Sequence, residues 1–381
     1  MKLGFVLGAD TYSSSLYNAT KDVATELRSR GIDVECIFLD LKEPCRDGDQ
    51  LVDVWGLSKQ RLTSKLFSKL MKALFGYVLY TALFSRMFCR RLERFASSNG
   101  YDVLIFHVTD FSPFHQYKKQ CVTVLHTCVY ENLICRYRGF KKKLYQMLYK
   151  RIYKGHEIWC VSESAKRDIL DHVGVKPAKI SVIHNGFDFE RMKAEALSTE
   201  ISIELPQKFI MAAGRPDRTK RFDLLIDAFS RCKSRFTHKL IIFGDGRALP
   251  ALQELAVKLG VDQSIVFAGF VGELLPVFRK ADLYVLSSDI EGLPTVLIES
   301  LLMETPVVAT DAGGVRELLS GTLARFVSSR GDPEQLAKNI DEAIVNPPKV
   351  GLEYLRFLSK EQVADKYLDY LGVVNASERA G

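Results

Sequence analysis

The chain has 381 residues, of which 47% are hydrophobic and 26% charged, with a formal net charge of +7. These are the proportions of a folded soluble protein rather than a disordered one, and the length suits two domains of ordinary size. The charge is uneven: residues 1–190 hold 29 Lys and Arg against 20 Asp and Glu, whereas residues 191–381 hold 24 against 26. The N-terminal half is therefore expected to meet something anionic, such as nucleic acid, a membrane surface or a phosphorylated substrate.

The N-terminus, "MKLGFVLGAD", is too short an apolar run for a signal peptide and predicts a first buried strand. Further apolar runs follow at 33–39, 102–108, 121–127, 157–162 and 180–185. A second series falls at 208–214, 239–245, 264–270, 282–288 and 306–311. Each is continuously apolar, as expected of parallel strands buried on both faces, and helical patterns alternate with them. Two doubly wound α/β domains follow, with a seam near 187–206 and the natural site in the cleft between their facing sheets. The eight cysteines are scattered and form no CxxC pair. With Cys36, Cys121 and Cys160 inside strand runs, a reducing cytosol and no structural zinc are expected.

Two basic segments interrupt this alternation. Residues 59–94 hold nine Lys and Arg and a single acid, Glu93, and their apolar centre is broken by Lys72 and Arg86. Residues 136–154, "RYRGFKKKLYQMLYKRIYK", hold eight Lys and Arg, no acid, and interleaved aromatics. Both fit helices lying on an anionic bilayer. The alternatives are ordinary helices with solvated basic faces, a true span, or a nucleic-acid contact.

The chemistry concentrates in the second half. "IEGLPTVLIES" (290–300) carries Glu291 just beyond a strand and Glu299 eight positions on. Pro294 suits the first turn of a helix, Gly292 permits close backbone approach, and the helix N-terminus favours a phosphate. Glu299, four residues past Thr295 on the same face, can accept two hydrogen bonds from a ribose diol. Glu291 can hold sugar hydroxyls beside the phosphates. In "AAGRPDRTKRFDLLIDAF" (212–229), Arg215 and Lys220 can neutralise a diphosphate without a metal and stabilise a leaving phosphate. Each motif alone also fits surface charges at a common kind of junction.

Together they say more. "GRPDRTK", then "IIFGDG" (241–246), "VFAGFV" (266–271), E-x7-E and "TPVVATDAGGVREL" (305–318) resemble the retaining nucleotide-sugar glycosyltransferases of family 4. "VSESAKRDIL" (161–170) and "VIHNGFD" (182–188) resemble that family too, while residues 40–150 resemble it least. The resemblance implies the GT-B fold, two Rossmann-like domains facing across a cleft. It implies an acceptor-binding domain over 1–187, a nucleotide-sugar-binding domain over 206–355, and a final helix within 356–375 that crosses back to the first domain. It assigns Arg215 and Lys220 to the diphosphate, Glu291 to the transferred sugar and Glu299 to the ribose. Gly292, Leu293, Pro294 and Thr295 fall beside sugar and phosphate, Val271 beside the base, and Gly244 within the donor-binding set. His126 matches a histidine near the reacting sugar.

The resemblance also has departures. The loop "ADTYSSSLYN" (9–18) lacks the common Gly-Gly, so Ser13, Ser14 and Ser15 are acceptor-side candidates, together with Asp110 beyond the strand 102–108. Arg221 stands where glycine is frequent. His107 reads as structural. Asp47 and Asp49 form an Asp-x-Asp, but in a polar loop without a strand before it, and "GDGRAL" supplies only two glycines of a dinucleotide fingerprint. The expectation is a retaining, metal-independent hexosyltransferase with a UDP-sugar donor and a lipid-linked or envelope-glycan acceptor, as in lipopolysaccharide or polysaccharide synthesis. It would be cytoplasmic, peripheral on the inner face of the membrane, and would bind no nucleic acid. The alternatives are another GT-B enzyme, such as a sugar-nucleotide epimerase, and a soluble transferase with a small-molecule acceptor.

Overall fold

A computed structural model describes residues 1–8, 15–39, 44–46, 49–51, 90–107, 120–201 and 203–373. These fall into two compact units, residues 1–187 with 360–381, and residues 188–359.

The first unit holds a seven-stranded sheet. Its strands are β1 (Lys2–Leu7), β2 (Asp33–Phe38), β3 (Gln50–Leu51), β4 (Val103–His107), β5 (Gln120–Leu125), β6 (Glu157–Cys160) and β7 (Lys179–Val182). Their order is β3-β2-β1-β4-β5-β6-β7, and every pairing is parallel. β1 buries five of its six residues and β4 all five, because helices cover both faces. The helices named here are α1 (Ser15–Ser29), α2 (residues 90–98), α3 (Gly139–Ile152) and α4 (Glu163–Arg167). The chain runs outward from β1 to β3, then returns past β1 to β4, so the order reverses between β1 and β4.

A last helix, which we number α12 (Lys360–Leu371), belongs to this unit. The Lys360 N–H donates to the Phe187 carbonyl at 3.0 Å, so the chain re-enters where it left. Tyr367 packs edge-on against Trp159 with ring centroids 4.5 Å apart, and Arg30 pairs with Asp365. The observed helix is shorter at both ends than the stretch 356–375.

The second unit repeats the plan with α5 (Phe189–Ser198), β8 (Phe209–Ala213), α6 (Phe222–Arg231), β9 (Lys239–Phe243), α7 (Leu249–Lys258), β10 (Ile265–Gly269) and α8 (Leu275–Phe278). It continues with β11 (Leu283–Leu286), α9 (Thr295–Leu302), β12 (Val307–Thr310), α10 (Val315–Leu318), β13 (Val327–Ser328) and α11 (Pro333–Val345). The sheet order is β10-β9-β8-β11-β12-β13, again all parallel. Leu224, Leu225, Ala228 and Phe229 of α6 are buried against Ile210, Ile242 and Val285 of the sheet. Their i, i+1, i+4, i+5 spacing lays one apolar stripe on the strands. The strand order reverses between β8 and β11, and beyond the carboxyl ends at such a reversal ligands bind. Residues 188–205 cluster with this unit, where the Arg279 guanidinium donates to the Ala196 carbonyl at 3.4 Å.

The eleven apolar runs all form strands. The two further strands, β3 and β13, are two residues long, too short to show as a run. Seven cysteines are free among the described residues; Cys36 and Cys160 are buried and Cys121 is partly so.

Candidate functional site

The loops after β8 and β11 meet at the switch point of the second sheet, because those strands pair directly, with Leu283 opposite Ile210 and Tyr284 opposite Met211. The first loop is built around Asp217. Its carboxylate accepts from the Thr219 N–H at 2.8 Å, the Thr219 hydroxyl at 2.6 Å and the Lys220 N–H at 3.3 Å. Burial works to raise the Asp217 pKa, but the Thr219 and Lys220 hydrogen bonds outweigh it and hold the carboxyl below its ordinary value. The loop is thus a fixed turn rather than a free arm.

That turn aims Lys220 across the switch point. Its Nζ lies 2.7 Å from Glu291 Oε1, and the two side chains keep 22% and 11% of their surface exposed. The Lys220 methylenes lie over Gly214, where an added Cβ would stand 3.2 Å from Lys220 Cε. Arg215 extends into solvent, its Nε only 3.4 Å from Asp217 Oδ2.

Arg221 follows with φ +50°, a left-handed conformation that glycine adopts freely. Its guanidinium compensates by pairing with Asp223 at 3.0 Å and with Asp289 at 2.8 Å. The Asp289 N–H in turn donates to the Thr219 carbonyl at 2.8 Å, and the Ser287 hydroxyl to the Lys220 carbonyl at 2.8 Å. With the Lys220–Glu291 pair, the loop after β11 is therefore tied to the loop after β8 at four points.

Gly244, the residue after β9, stands beside Gly214. An added Cβ there would stand 2.0 Å from the Gly214 carbonyl oxygen, so only glycine fits this close approach.

Gly292, Leu293 and Pro294 are buried and Thr295 is partly exposed. Pro294 stands one residue before α9 rather than inside its first turn, its carbonyl accepting from Leu297 and Ile298. Among the described residues no side chain caps α9 and its first turn holds no acid, a setting in which an anion is favoured at the leading N–H groups. Glu299 lies one turn along, partly buried, its pKa pushed up to about 7 by burial and then by the Glu273 charge. Tyr284, fully buried in β11, has its hydroxyl pKa raised by burial and then by the charges of Glu291 and Glu299. Val271 is partly exposed beyond β10, next to the exposed Phe270.

The first unit holds the remaining candidates. His126, just past β5, has its Nε2 3.1 Å from Nδ1 of His107, the last residue of β4. Burial pushes the His126 pKa down to about 4. His107 is held well below its ordinary value by burial and then by His126. Both rings are therefore neutral near pH 7, one donating to the other. Ser13, Ser14, Asp110 and Asp47 lie outside the described residues, and Ser15 opens α1. Asp49 faces the Arg28 guanidinium at 3.9 Å. Among the described residues no His, Cys, Asp and Glu group together as metal ligands would.

Asp217, Arg221, Asp289 and Tyr284 went unread in the sequence as site residues. "RPDRT" does signal an Asx-type turn. Asp289 has no local signal, since its partner Arg221 lies 68 residues away.

Two doubly wound parallel-sheet domains, one with the loops carrying Arg215, Lys220 and Glu291 at its switch point, are the architecture of the GT-B fold. The chain belongs to glycosyltransferase family 4: the family described as Glycosyltransferase Family 4 matches residues 18–191, and that described as Glycosyl transferases group 1 matches residues 207–346. It is 28% identical over 241 residues to an uncharacterized glycosyltransferase of Methanocaldococcus jannaschii, covering 61% of each chain. It is 30% identical over 197 residues to a Campylobacter jejuni N-acetylgalactosamine-N,N'-diacetylbacillosaminyl-diphospho-undecaprenol 4-alpha-N-acetylgalactosaminyltransferase, covering 51% of this chain and 53% of that one. The chain thus spans about half to three-fifths of the length of these curated relatives. Its fold is that of Anabaena HepE, solved in complex with UDP, at a TM-score of 0.69 and 16% identity over 98% of this chain and 100% of that one.

Proposed function

We propose that this chain transfers a sugar from a nucleoside diphosphate sugar, a UDP-sugar foremost, to a lipid-linked or cell-envelope glycan, with retention at the anomeric carbon. The observation that carries the reading is that the loop bearing Arg215 and Lys220 and the loop leading into the N-terminus of α9 meet at one switch point. Three sources of positive potential there suit a diphosphate without a divalent cation. The Anabaena neighbour is named as a UDP complex, and the Campylobacter relative by a diphospho-undecaprenol acceptor. Both support the choice of donor and acceptor class.

In this reading Lys220 leaves Glu291 for the diphosphate, and Glu291 turns to the hydroxyls of the transferred sugar. Glu299 accepts from the ribose, Val271 and Gly244 border the nucleoside, and residues 292–295 supply N–H groups to sugar and phosphate. His126 stands on the acceptor side, with Ser13, Ser14, Ser15 and Asp110 as further acceptor contacts. The bond between the anomeric carbon and the diphosphate oxygen breaks as the acceptor oxygen bonds the same face. The acceptor proton passes to the leaving phosphate, and no protein nucleophile is needed. The protein is peripheral on the cytoplasmic face of the membrane, its basic segments toward anionic lipid; of 59–94, residues 59–89 lie outside the described residues.

The test is incubation of the chain with UDP-sugars and polyprenyl-diphosphate glycans, with the product's anomeric configuration read by NMR. A retained linkage with no sugar trapped on the protein supports the reading. An inverted linkage, or a sugar covalently held by the protein, contradicts the mechanism. Isomerisation of the donor without acceptor contradicts transfer altogether.

A further inference from the structure

The helix α3 turns one face to the core and a different kind of face outward. Tyr145, Tyr149 and Ile152 are buried against Ile134, Ile158 and Ile169. The opposite face carries Phe140, 80% exposed, and Met147, 59% exposed. These two are seven residues apart, two turns, and so lie one above the other on the same side. Lys143, Lys150 and Arg151, all exposed, stand beside them on that side. Among the described residues no carboxylate pairs with any of these three cations. The fold of this unit does not need the outward pair, because α3 already docks through its tyrosines.

Apolar side chains standing out among cations, on a helix fixed from behind, match the layered chemistry of one partner. An anionic bilayer offers phosphates at the level of the cations and acyl chains beneath them. A nucleic-acid duplex would use the cations and leave Met147 in water. An acidic peptide would need its own apolar groove, and a single convex helix face provides none. No helix among the described residues is long and apolar enough to cross a membrane, so a surface-lying contact is the form this partner would take.

We propose that the outer face of α3 docks on anionic phospholipid, with Phe140 and Met147 entering the acyl boundary and Lys143, Lys150 and Arg151 gripping headgroup phosphates. The inference rests on the membrane-side part of the proposed function and is independent of the donor site.

The experiment is flotation of the full chain with vesicles of phosphatidylglycerol and phosphatidylcholine, and with phosphatidylcholine alone, in the absence of donor and acceptor. Wild type should float with the anionic vesicles only, and less so at high salt. Phe140→Ser with Met147→Ser should weaken partition about tenfold or more. Lys143→Gln with Lys150→Gln and Arg151→Gln should weaken it by about a hundredfold, at about fivefold per charge. All five side chains are exposed, so circular dichroism and thermal midpoint should not move, and UDP binding should be kept in both variants. The single variants Phe140→Ala and Met147→Ala provide the same reading with less perturbation. Equal flotation of the apolar variant, equal binding to phosphatidylcholine, or preference for a duplex RNA over the anionic vesicles would each overturn the proposal. Lost UDP binding with intact flotation would count against the transferase reading and leave this one standing.

Discussion

Lys220 Nζ stands 2.7 Å from Glu291 Oε1, although 71 residues separate the two in sequence. The cation assigned to the diphosphate and the carboxylate assigned to the sugar therefore hold each other in place before a donor arrives. The pair keeps Lys220 aimed at the switch point, and in the proposed reaction a donor draws it away. Glu291→Gln should then leave nucleotide affinity unchanged or raise it a few-fold, while turnover falls on the order of a hundredfold. Lys220→Ala should weaken nucleotide binding by about tenfold to a hundredfold, the range for a charged hydrogen bond. Calorimetry beside initial rates separates the two. Equal losses of affinity in both variants would contradict the division of roles.

Arg221 tests how the loop is braced. Its left-handed backbone costs about 1 kcal/mol relative to glycine, and its ion pairs with Asp223 and Asp289 offset that cost. Arg221→Ala loses the pairs and keeps the strain, so it should destabilise by roughly 1–2 kcal/mol. Arg221→Gly loses the pairs but relieves the strain, and should be about 1 kcal/mol more stable than the alanine variant. Urea unfolding of the two variants checks the order.

The close approach of Gly244 to Gly214 gives a third prediction. Gly244→Ala forces a Cβ to 2.0 Å from a backbone oxygen, which must displace the loop that carries Arg215 and Lys220. Nucleotide binding should be lost. Gly260→Ala is the control: its φ is +67° but nothing lies within 4 Å, so it should cost only about 1 kcal/mol and leave binding intact.

What the sequence showed and what it hid divide along physical lines. Buried parallel strands announce themselves as apolar runs, so both sheets were readable, except for β3 and β13 at two residues each. Lys220, Glu291 and Glu299 stood out as candidates because residue type and motif spacing are local. Their relations did not. Lys220 and Glu291 both looked like free ligands of a donor, and nothing local says that they pair. Arg221 showed only as a missing glycine; that the position is left-handed and that Asp289 braces it are three-dimensional facts. The basic run 136–154 read as a candidate membrane surface or a solvated face, and only burial separates its docked tyrosines from its exposed Phe140 and Met147.

The two units should respond oppositely to pH. Glu299 has a folded-state pKa of about 7, above its ordinary 4.5, because burial disfavours its charge. Between those values the folded state holds the proton that the unfolded state has lost, so stability falls as pH rises through that window. Glu299→Gln should flatten the slope, a change on the order of 2 kcal/mol. His126 is the reverse case. Its folded pKa of about 4 lies below the ordinary 6.5, so the unfolded state binds the proton first and stability falls as pH drops from 6.5 toward 4. His107→Phe should change that acid slope and leave the Glu299 window untouched. Hydrogen exchange across pH 4 to 8, read separately for each unit, checks both signs.

The central claim is a metal-independent diphosphate site at the switch point of the second sheet. Its most direct test is calorimetric titration of the chain with UDP, GDP and ADP in the presence of a chelator, alongside Lys220→Ala. The account predicts that UDP binds, that chelation does not matter, and that the Lys220 variant loses about tenfold or more in affinity. Absence of binding by all three nucleotides to folded protein, or binding that Lys220→Ala leaves unchanged, would contradict it.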